Sequence, residues 1–582
     1  MISVLKKLWK TLELYRRYQV LALTFLMIVC AFAELVSIGA VLPFITILVS
    51  PETILENTFI PFLADSLDLK TIPELRKAIT IFFITIVIVA ALLRFLLLYF
   101  QTRLSFSIGA DYARSMYFKT LHQPFLVHVN RNSSEVVSTI VLKANSLSTS
   151  ALLPLLTIVS SSIILIFIVI GVLIIDPWIT VIVFSSFFLS YVLLTFLTKN
   201  RLDSDSYDVN FKQDDLMRSI QEGLGGIRDI IIDNLQQTYT NEFEKSHYGY
   251  RRAAGNIHII ASSPKYAIEA VGMIIIMIVA LSLINTSDNS ITTAIPILGV
   301  LALVAQKLFP ILQALFASIS TLRGSVDSMD AIFNLYDQKI SELANEVNPI
   351  SFVNKISFRN ISFKYVKESK PVLDKINIDF NKGDKIGIIG ETGSGKSTLM
   401  DILMGLIIPT NGSLCIDNIP INASNSNSWQ GFISHVPQSI FLTDSTIAEN
   451  IAFGIPLKDI DMVKVKEAAE RAQISETIEL LDKKYFSNVG ERGTKLSGGQ
   501  LQRIGLARAL YKESDIIILD EATSALDSST ESSVMKSINN GTKEITLFIV
   551  AHRLSTLKDC TRVIKIEDGK ISYSGSYENI PN

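Results

Sequence analysis

The sequence predicts an all-α membrane domain of six spanning helices followed by a soluble α/β domain. Long apolar runs fill roughly the first 320 of the 582 residues, whereas the remainder mixes short apolar strands, charged helices and glycine turns. The overall hydrophobic share of 49% averages over that asymmetry. Charge placement then orients the membrane half.

Runs able to cross about 30 Å of hydrocarbon at about 1.5 Å per residue lie near 19–49, 78–102, 149–175, 178–198, 259–284 and 291–320. The first is too long for a signal peptide and lacks a small-residue cleavage site, so it is read as retained. Lys6, Lys7, Lys10, Arg16 and Arg17 precede it, and further Lys and Arg residues fill the connections after the second and fourth runs. The connections at Asp176–Trp178 and Asn285–Ser290 carry none, so the positive-inside rule puts both termini in the cytosol of a multi-pass protein of the cell (inner) membrane. The two long connections, 103–148 and 199–258, are polar and helix-patterned, which predicts helices that run on below the membrane to short turns near His122–Asn130 and Gly223–Ile231. The Glu56–Leu69 segment reads as an external amphipathic helix or a plain loop, and 321–350 as a charged linker helix ending before Pro349. The expected organisation is a membrane domain at 1–320, the linker at 321–350 and the soluble domain at 351–582. A net charge of −2 offers no basic surplus for nucleic acid, and Cys30, Cys415 and Cys560 lack the spacing of a metal site or disulfide framework.

The soluble half carries the chemistry. "GETGSGKST" (Gly390, Glu391, Thr392, Gly393, Ser394, Gly395, Lys396, Ser397, Thr398) follows an apolar strand and opens a helix. Glycines let successive backbone N–H groups face a phosphate chain, the helix N-terminus adds positive potential, Lys396 can reach β/γ oxygens, and the Ser397 hydroxyl can ligate Mg²⁺. "IIILDEATSALD" reads as a strand buried on both faces, with Asp520 at its carboxyl end to hold Mg²⁺ and Glu521 to orient or deprotonate a water.

With these two motifs, "LSGGQLQR" (Leu496–Arg503) resembles the signature of ATP-binding cassette (ABC) ATPases, and six preceding spans resemble the exporter type with both domains on one chain. The resemblance covers essentially the whole chain and implies a P-loop ATP-binding cassette with ATP and Mg²⁺ as cofactors. It implies that Ser497, Gly498, Gly499 and Gln500 complete the nucleotide site of an opposite subunit, so that two chains are required. It further implies that Tyr365 stacks on adenine, Gln438 senses Mg²⁺ and γ-phosphate, His552 bonds the γ-phosphate, Asp527 links the two sites and Glu491 meets the coupling helices. Both motif sets are intact, so a homodimer is expected.

Ionisable residues within or near the apolar runs are Glu34, Arg94, Lys265, Glu269 and Lys307. One reading pairs them as structural salt bridges, for instance Arg94 with Glu34, and lets Lys265 snorkel to the interface. The other makes the cations a track for an anionic head group. The spacing from Glu34 to "LPFIT", the arginine of the second run, "PKYAIE" and "KLFP" resemble PglK-type flippases of lipid-linked oligosaccharides, with Lys where arginine is expected at 265 and 307. That resemblance implies a lipid-linked diphosphate substrate bound by Arg94, Lys265 and Lys307. Exporters of drugs, lipid A-like lipids or peptides are the alternatives. Under the track reading, alanine at each cation leaves the fold intact and abolishes translocation; under the salt-bridge reading the variants fail to assemble.

Overall fold

Long apolar stretches leave the backbone no choice in hydrocarbon but to satisfy its own hydrogen bonds, and here they form helices. The computed structural model describes residues 2–49, 72–175, 177–286, 291–338, 350–366, 368, 370–523, 526–539, 544–551 and 553–580. The Glu56–Leu69 segment, the linker beyond residue 338 up to 349, and His552 lie outside them. Among the described residues, six helices are long and apolar enough to cross a membrane, in the expected order.

A short helix α1 (Ile2–Thr11) precedes α2 (Leu14–Gly39) and α3 (Val41–Val49). The first apolar run is thus broken at Ala40, with Pro43 in the first turn of α3, where its missing N–H costs nothing. The second spanning helix, α4 (Ile72–Leu121), has 50 residues. At 1.5 Å per residue it is about 75 Å long, more than twice the hydrocarbon core, so its polar second half overruns the bilayer as its pattern predicts. The third span opens at Ser133 and contains π-helical turns over Thr139–Lys143 and Leu147–Leu152 before α5 (Leu153–Ile175). α6 (Pro177–Gly225) and α8 (Gln236–Ser262) pack against each other and are joined through the short α7 (Ile227–Ile232). α9 (Pro264–Thr286) starts after a break at Ser263, which keeps helical dihedrals while Pro264 lacks the N–H that would continue the hydrogen-bond ladder. α10 (Ile291–Gly324) is the sixth span.

The segment read as a linker helix behaves differently from that expectation. α11 (Val326–Tyr336) ends well before Pro349, and its Met329, Ile332 and Phe333 are buried with Leu8, Tyr112 and Met116 in one apolar cluster. Its apolar spacing of three and four residues wins over its charges, which makes it a packed element of the membrane unit.

The chain separates into two compact units: Met1–Leu121 with Asn132–Lys339, and Ile340–Asn582 with His122–Arg131. The second unit holds a four-stranded antiparallel sheet of β1 (Lys355–Phe363), β2 (Leu373–Asn381), β4 (Asn411–Ile416) and β5 (Ile419–Pro420) in the order β2-β1-β4-β5, and a six-stranded sheet that ends in β10 (Lys570–Gly575), in the order β10-β9-β3-β8-β7-β6. Of the latter, β3 (Lys385–Gly390), β6 (Ile433–Val436), β7 (Ile516–Asp520) and β8 (Thr546–Val550) run parallel, and β9 (Arg562–Glu567) lies parallel to β3. Ile516, Ile517, Ile518 and Leu519 are buried throughout, as a strand covered on both faces requires. The short helix Phe125–Val129 belongs to this unit, and Leu126 packs against its sheet core beside Phe358, Trp429 and Phe548. The turn read near His122–Asn130 therefore contributes an apolar anchor to the soluble unit.

Candidate functional site

Parallel strands in register bring their carboxyl ends to one edge, and that geometry assembles the soluble site. Ile388 pairs with Val550, Val550 with Asp520, and Leu519 with Val436. The loops that leave β3, β8, β7 and β6 therefore emerge side by side, although they are far apart in sequence. They carry the glycine-rich loop, the residue before His552, the Asp520–Glu521 pair and Gln438 respectively. Open α/β sheets bind ligands at this edge.

The loop after β3 is built around backbone no other residue tolerates. A Cβ on Gly390 would lie 2.3 Å from the carbonyl oxygen of Ile566, and Gly395, at φ +106°, would press one to 2.8 Å from Leu373. Gly395 caps the helix that begins at Lys396. Lys396 is buried, and its Nζ donates to the carbonyls of Gly390 and Glu391, each at 2.8 Å, so the ammonium sits over the inside of the loop. The Ser394 hydroxyl is buried with no hydrogen-bond partner among the described residues. A buried orphan hydroxyl, a lysine and a helix N-terminus on one loop fit a phosphate chain. Thr398, in the first turn, shares a 3.1 Å hydrogen bond with the hydroxyl of Tyr365, whose ring is half exposed and edge-on to Phe363.

Across the edge, Glu521 has φ +51°, a left-handed conformation that costs a non-glycine residue about 1 kcal/mol. Its amide donates to the carbonyl of Val550 at 3.0 Å and its carboxylate accepts from Gln438 Nε2 at 2.6 Å. The strained backbone turns the side chain off the strand axis toward the Gln438 loop. Burial, and after it the charge of Asp520, push Asp401 of the first helix up to about 6. That pile-up of carboxylates beside Ser397 is one a divalent cation would relieve, so the residues present fit Mg²⁺. Sequence reasoning missed Asp401; its signal was an acid on the helix immediately after the phosphate loop.

The Leu496–Arg503 motif opens the helix Gly498–Tyr511. Ser497 caps it, accepting from the Gln500 amide at 3.3 Å, while the Gln500 side chain accepts from the Ser497 amide at 2.9 Å. Gln500 is thus engaged within its own chain, whereas Ser497 and Gly498 are exposed and Gly499 is half-buried. Asp527 accepts from the Thr530 amide at 2.9 Å and its hydroxyl at 2.7 Å, and from Ser529, which holds its carboxyl well below the usual range. Glu491 is exposed on a short helical turn.

Comparison with known proteins agrees with both halves. Residues 20–308 match the ABC transporter transmembrane region and residues 373–524 match the ABC transporter family. The chain belongs to the ABC transporter family. It is 28% identical over 477 residues to an ATP-dependent lipid A-core flippase of Paraburkholderia xenovorans, covering 81% of this chain and 78% of that one. It is 36% identical over 261 residues to ABC transporter B family member 29, chloroplastic, of Arabidopsis thaliana, covering 44% and 41%. A bacterial Atm1-family ABC exporter solved with ATP bound shares the fold at a TM-score of 0.77 and 22% identity, over 97% of this chain and 96% of that one. The transporter is therefore a multi-pass membrane protein of the fused exporter half-transporter type, a nucleotide-binding ATPase that drives translocation.

In the transporter's membrane unit, one buried carboxylate organises the charges. Glu34 is almost fully buried, and its two oxygens meet Lys307 Nζ at 2.5 Å and Arg94 Nε at 3.5 Å. Lys307 also donates to Ser37 at 2.9 Å, one turn from Glu34 on α2. The Lys307 side chain is 28% exposed and that of Arg94 46% exposed. Two cations on one anion leave a surplus positive charge, and the looser, more exposed Arg94 carries it. The three cations differ in setting: Lys307 is the tight counter-ion of Glu34, and Arg94 meets the same carboxylate by a longer contact. Lys265 is exposed one residue into α9, as is Glu269, and no hydrogen bond or ion pair among the described residues joins Lys265 to the Glu34 cluster. The sequence set Lys307 among the charges to be paired and suggested Arg94 with Glu34, but did not single out Lys307, 273 residues away, as the closer partner of Glu34.

Lys307→Ala should destabilise the membrane unit by about 2 kcal/mol, the loss of a charged hydrogen bond with Arg94 still on Glu34; Lys307→Ala combined with Arg94→Ala should cost about 3 kcal/mol, the cost of stranding a buried charge, and Glu34→Gln in that chain should restore it. Arg94→Ala should leave folding intact. Thermal unfolding of the detergent-solubilised variants checks both. A carboxyl whose folded pKa is raised stabilises at acid pH and loses that contribution as pH rises through about 6. In EDTA, Asp401→Asn should therefore raise the unfolding midpoint above wild type at pH 7.5, with the gap closing as pH falls toward 4.

Proposed function

We propose that the transporter uses ATP to flip a lipid with an anionic diphosphate head, of the lipid-linked (polyprenyl diphosphate) oligosaccharide class. The observation that carries this reading is the surplus cation at the Glu34 cluster: Arg94, at 3.5 Å from a carboxylate already held by Lys307, is poised to accept a phosphate in its place. Lys265 would serve as a second, separate contact for the head. The likeness to a lipid A-core flippase supports a lipid substrate and favours, as a second reading, a lipid A-like glycolipid, which also carries phosphate.

In this reading the transporter is a homodimer in the cell (inner) membrane, with both termini and the cassettes in the cytosol. Tyr365 and the Gly390–Thr398 loop would hold ATP, and Ser497, Gly498 and Gly499 of a second copy would close over it, with Gln500 setting the cap. Asp527 would join the two sites. Ser397, Asp520 and Gln438 would hold Mg²⁺, which supplies charge neutralisation to the phosphates. Glu521 would take the proton from the attacking water, released by Gln438 from its 2.6 Å hydrogen bond as the site closes, with His552 on the γ-phosphate. Closure is passed on through the Phe125–Val129 helix, anchored by Leu126. The working boundaries proposed are a membrane domain at 1–320, a linker at 321–350 and the cassette at 351–582.

Proteoliposomes carrying a fluorescent polyprenyl-diphosphate oligosaccharide test this. Wild type should remove label from one leaflet when ATP is added. Glu521→Gln should lose at least about 100-fold in hydrolysis, as removal of a general base does, and flip nothing. Arg94→Ala should hydrolyse ATP but fail to flip. Movement of a lipid A-type lipid in place of the oligosaccharide lipid selects the second reading.

A further inference from the structure

Away from both sites, α2 and α4 enclose a groove of about 400 Å³ at the end of the spans where α4 leaves the membrane for Leu121. Two ion pairs set the antiparallel register of these helices: Arg16 with Asp111 at 2.7 Å and Glu34 with Arg94 at 3.5 Å. The groove is consequently sorted by depth. Its outer part is lined by Arg16, Gln19 and Ser107, Leu23 and Leu104 lie at one level further in, and Leu26, Phe100 and the exposed Arg103, one residue beyond Leu104, line the inner part. The apolar run of α2 begins near Gln19, so the Arg16–Gln19 end sits at head-group level and the leucines within the acyl chains, and the exposed Arg103, whose backbone lies further in, reaches toward that end as long basic side chains do.

The cations in it are unequal. Arg16 is held by Asp111 and donates to Gln19 at 2.8 Å. Arg103 is exposed, rests 5.7 Å from the centre of the Tyr99 ring and has no acidic partner among the described residues. Two guanidinium groups and one carboxylate leave one positive charge at the rim, matching a single phosphodiester. A groove of this volume lies within the range of small-molecule sites.

We propose that this groove is a binding site for an anionic glycerophospholipid of the adjoining leaflet, its phosphodiester on Arg103 and the free edge of Arg16 and an acyl chain along Leu23, Leu26 and Phe100. Basic pockets between spanning helices suit such heads, and guanidinium groups bind phosphate oxygens in a fork. The site depends on neither the transported substrate nor the direction of transport.

Native mass spectrometry of the purified full-length transporter, titrated with phosphatidylglycerol and with phosphatidylcholine, tests it. Wild type should retain phosphatidylglycerol preferentially. Arg103→Gln should weaken that retention about fivefold, the effect of one basic residue near anionic lipid, and Arg103→Lys should keep most of it. Ala22→Trp, which fills the groove from its exposed side without changing charge, should also abolish retention. Basal ATP hydrolysis of all three variants should match wild type, showing that the fold is intact. Equal retention of both lipids by wild type, wild-type retention by Arg103→Gln, or wild-type retention by Ala22→Trp would each overturn the proposal, the last by reducing the effect to surface charge.

Discussion

The parallel register of β3, β8, β7 and β6 is the constraint on which the soluble half depends. Residues separated by more than a hundred positions act together only because four strands end at the same edge. Their side chains are nearly all apolar and buried, so a shift of one residue would turn both faces of the sheet over. Each strand end then needs a turn that breaks regularity at once. Gly390 and Gly395 do so by lacking a Cβ, and Glu521 does so by accepting left-handed backbone. Rigidity beneath and strain above are consistent with a site whose loops must be positioned without further ordering.

The membrane half rests on a comparable economy of charge. A carboxylate inside a spanning helix is tolerated because Lys307 and Arg94 reach it from two other helices, tying α2, α4 and α10 together. The tie is asymmetric. Lys307 has a short contact and a second partner in Ser37, while Arg94 has one long contact and an exposed side chain. The same carboxylate can therefore hold the fold through one cation and hold the other in reserve. On the proposed reading, an anionic head would compete with Glu34 for Arg94 and leave Lys307 in place.

Much of this architecture was legible in the sequence because it has a local signature. Hydropathy gave six spans, and polar helical patterning after the second run foretold that α4 would continue to Leu121. The spacing of Gly390–Thr398 and the acid at the end of Ile516–Asp520 marked the phosphate edge before any strand order was known. What stayed hidden depends on contacts between distant residues. The Lys307–Glu34 pair, the burial of α11 and the seat of Leu126 on the sheet core leave no mark on neighbouring residues. The capping box between Ser497 and Gln500 is legible from its serine and glutamine three apart.

On the proposed reading each ATP is held between the phosphate loop of one copy and the Ser497 motif of another. Transporter assembled from two differently tagged chains, one Lys396→Ala and the other Ser497→Arg, tests it most directly when only the mixed dimer is recovered and its trapped nucleotide is counted. Each mutant paired with itself should trap none. The mixed dimer, with one intact loop facing one intact motif, should trap one nucleotide per pair. A mixed dimer that traps none would show that each chain builds its site alone, and would contradict the account.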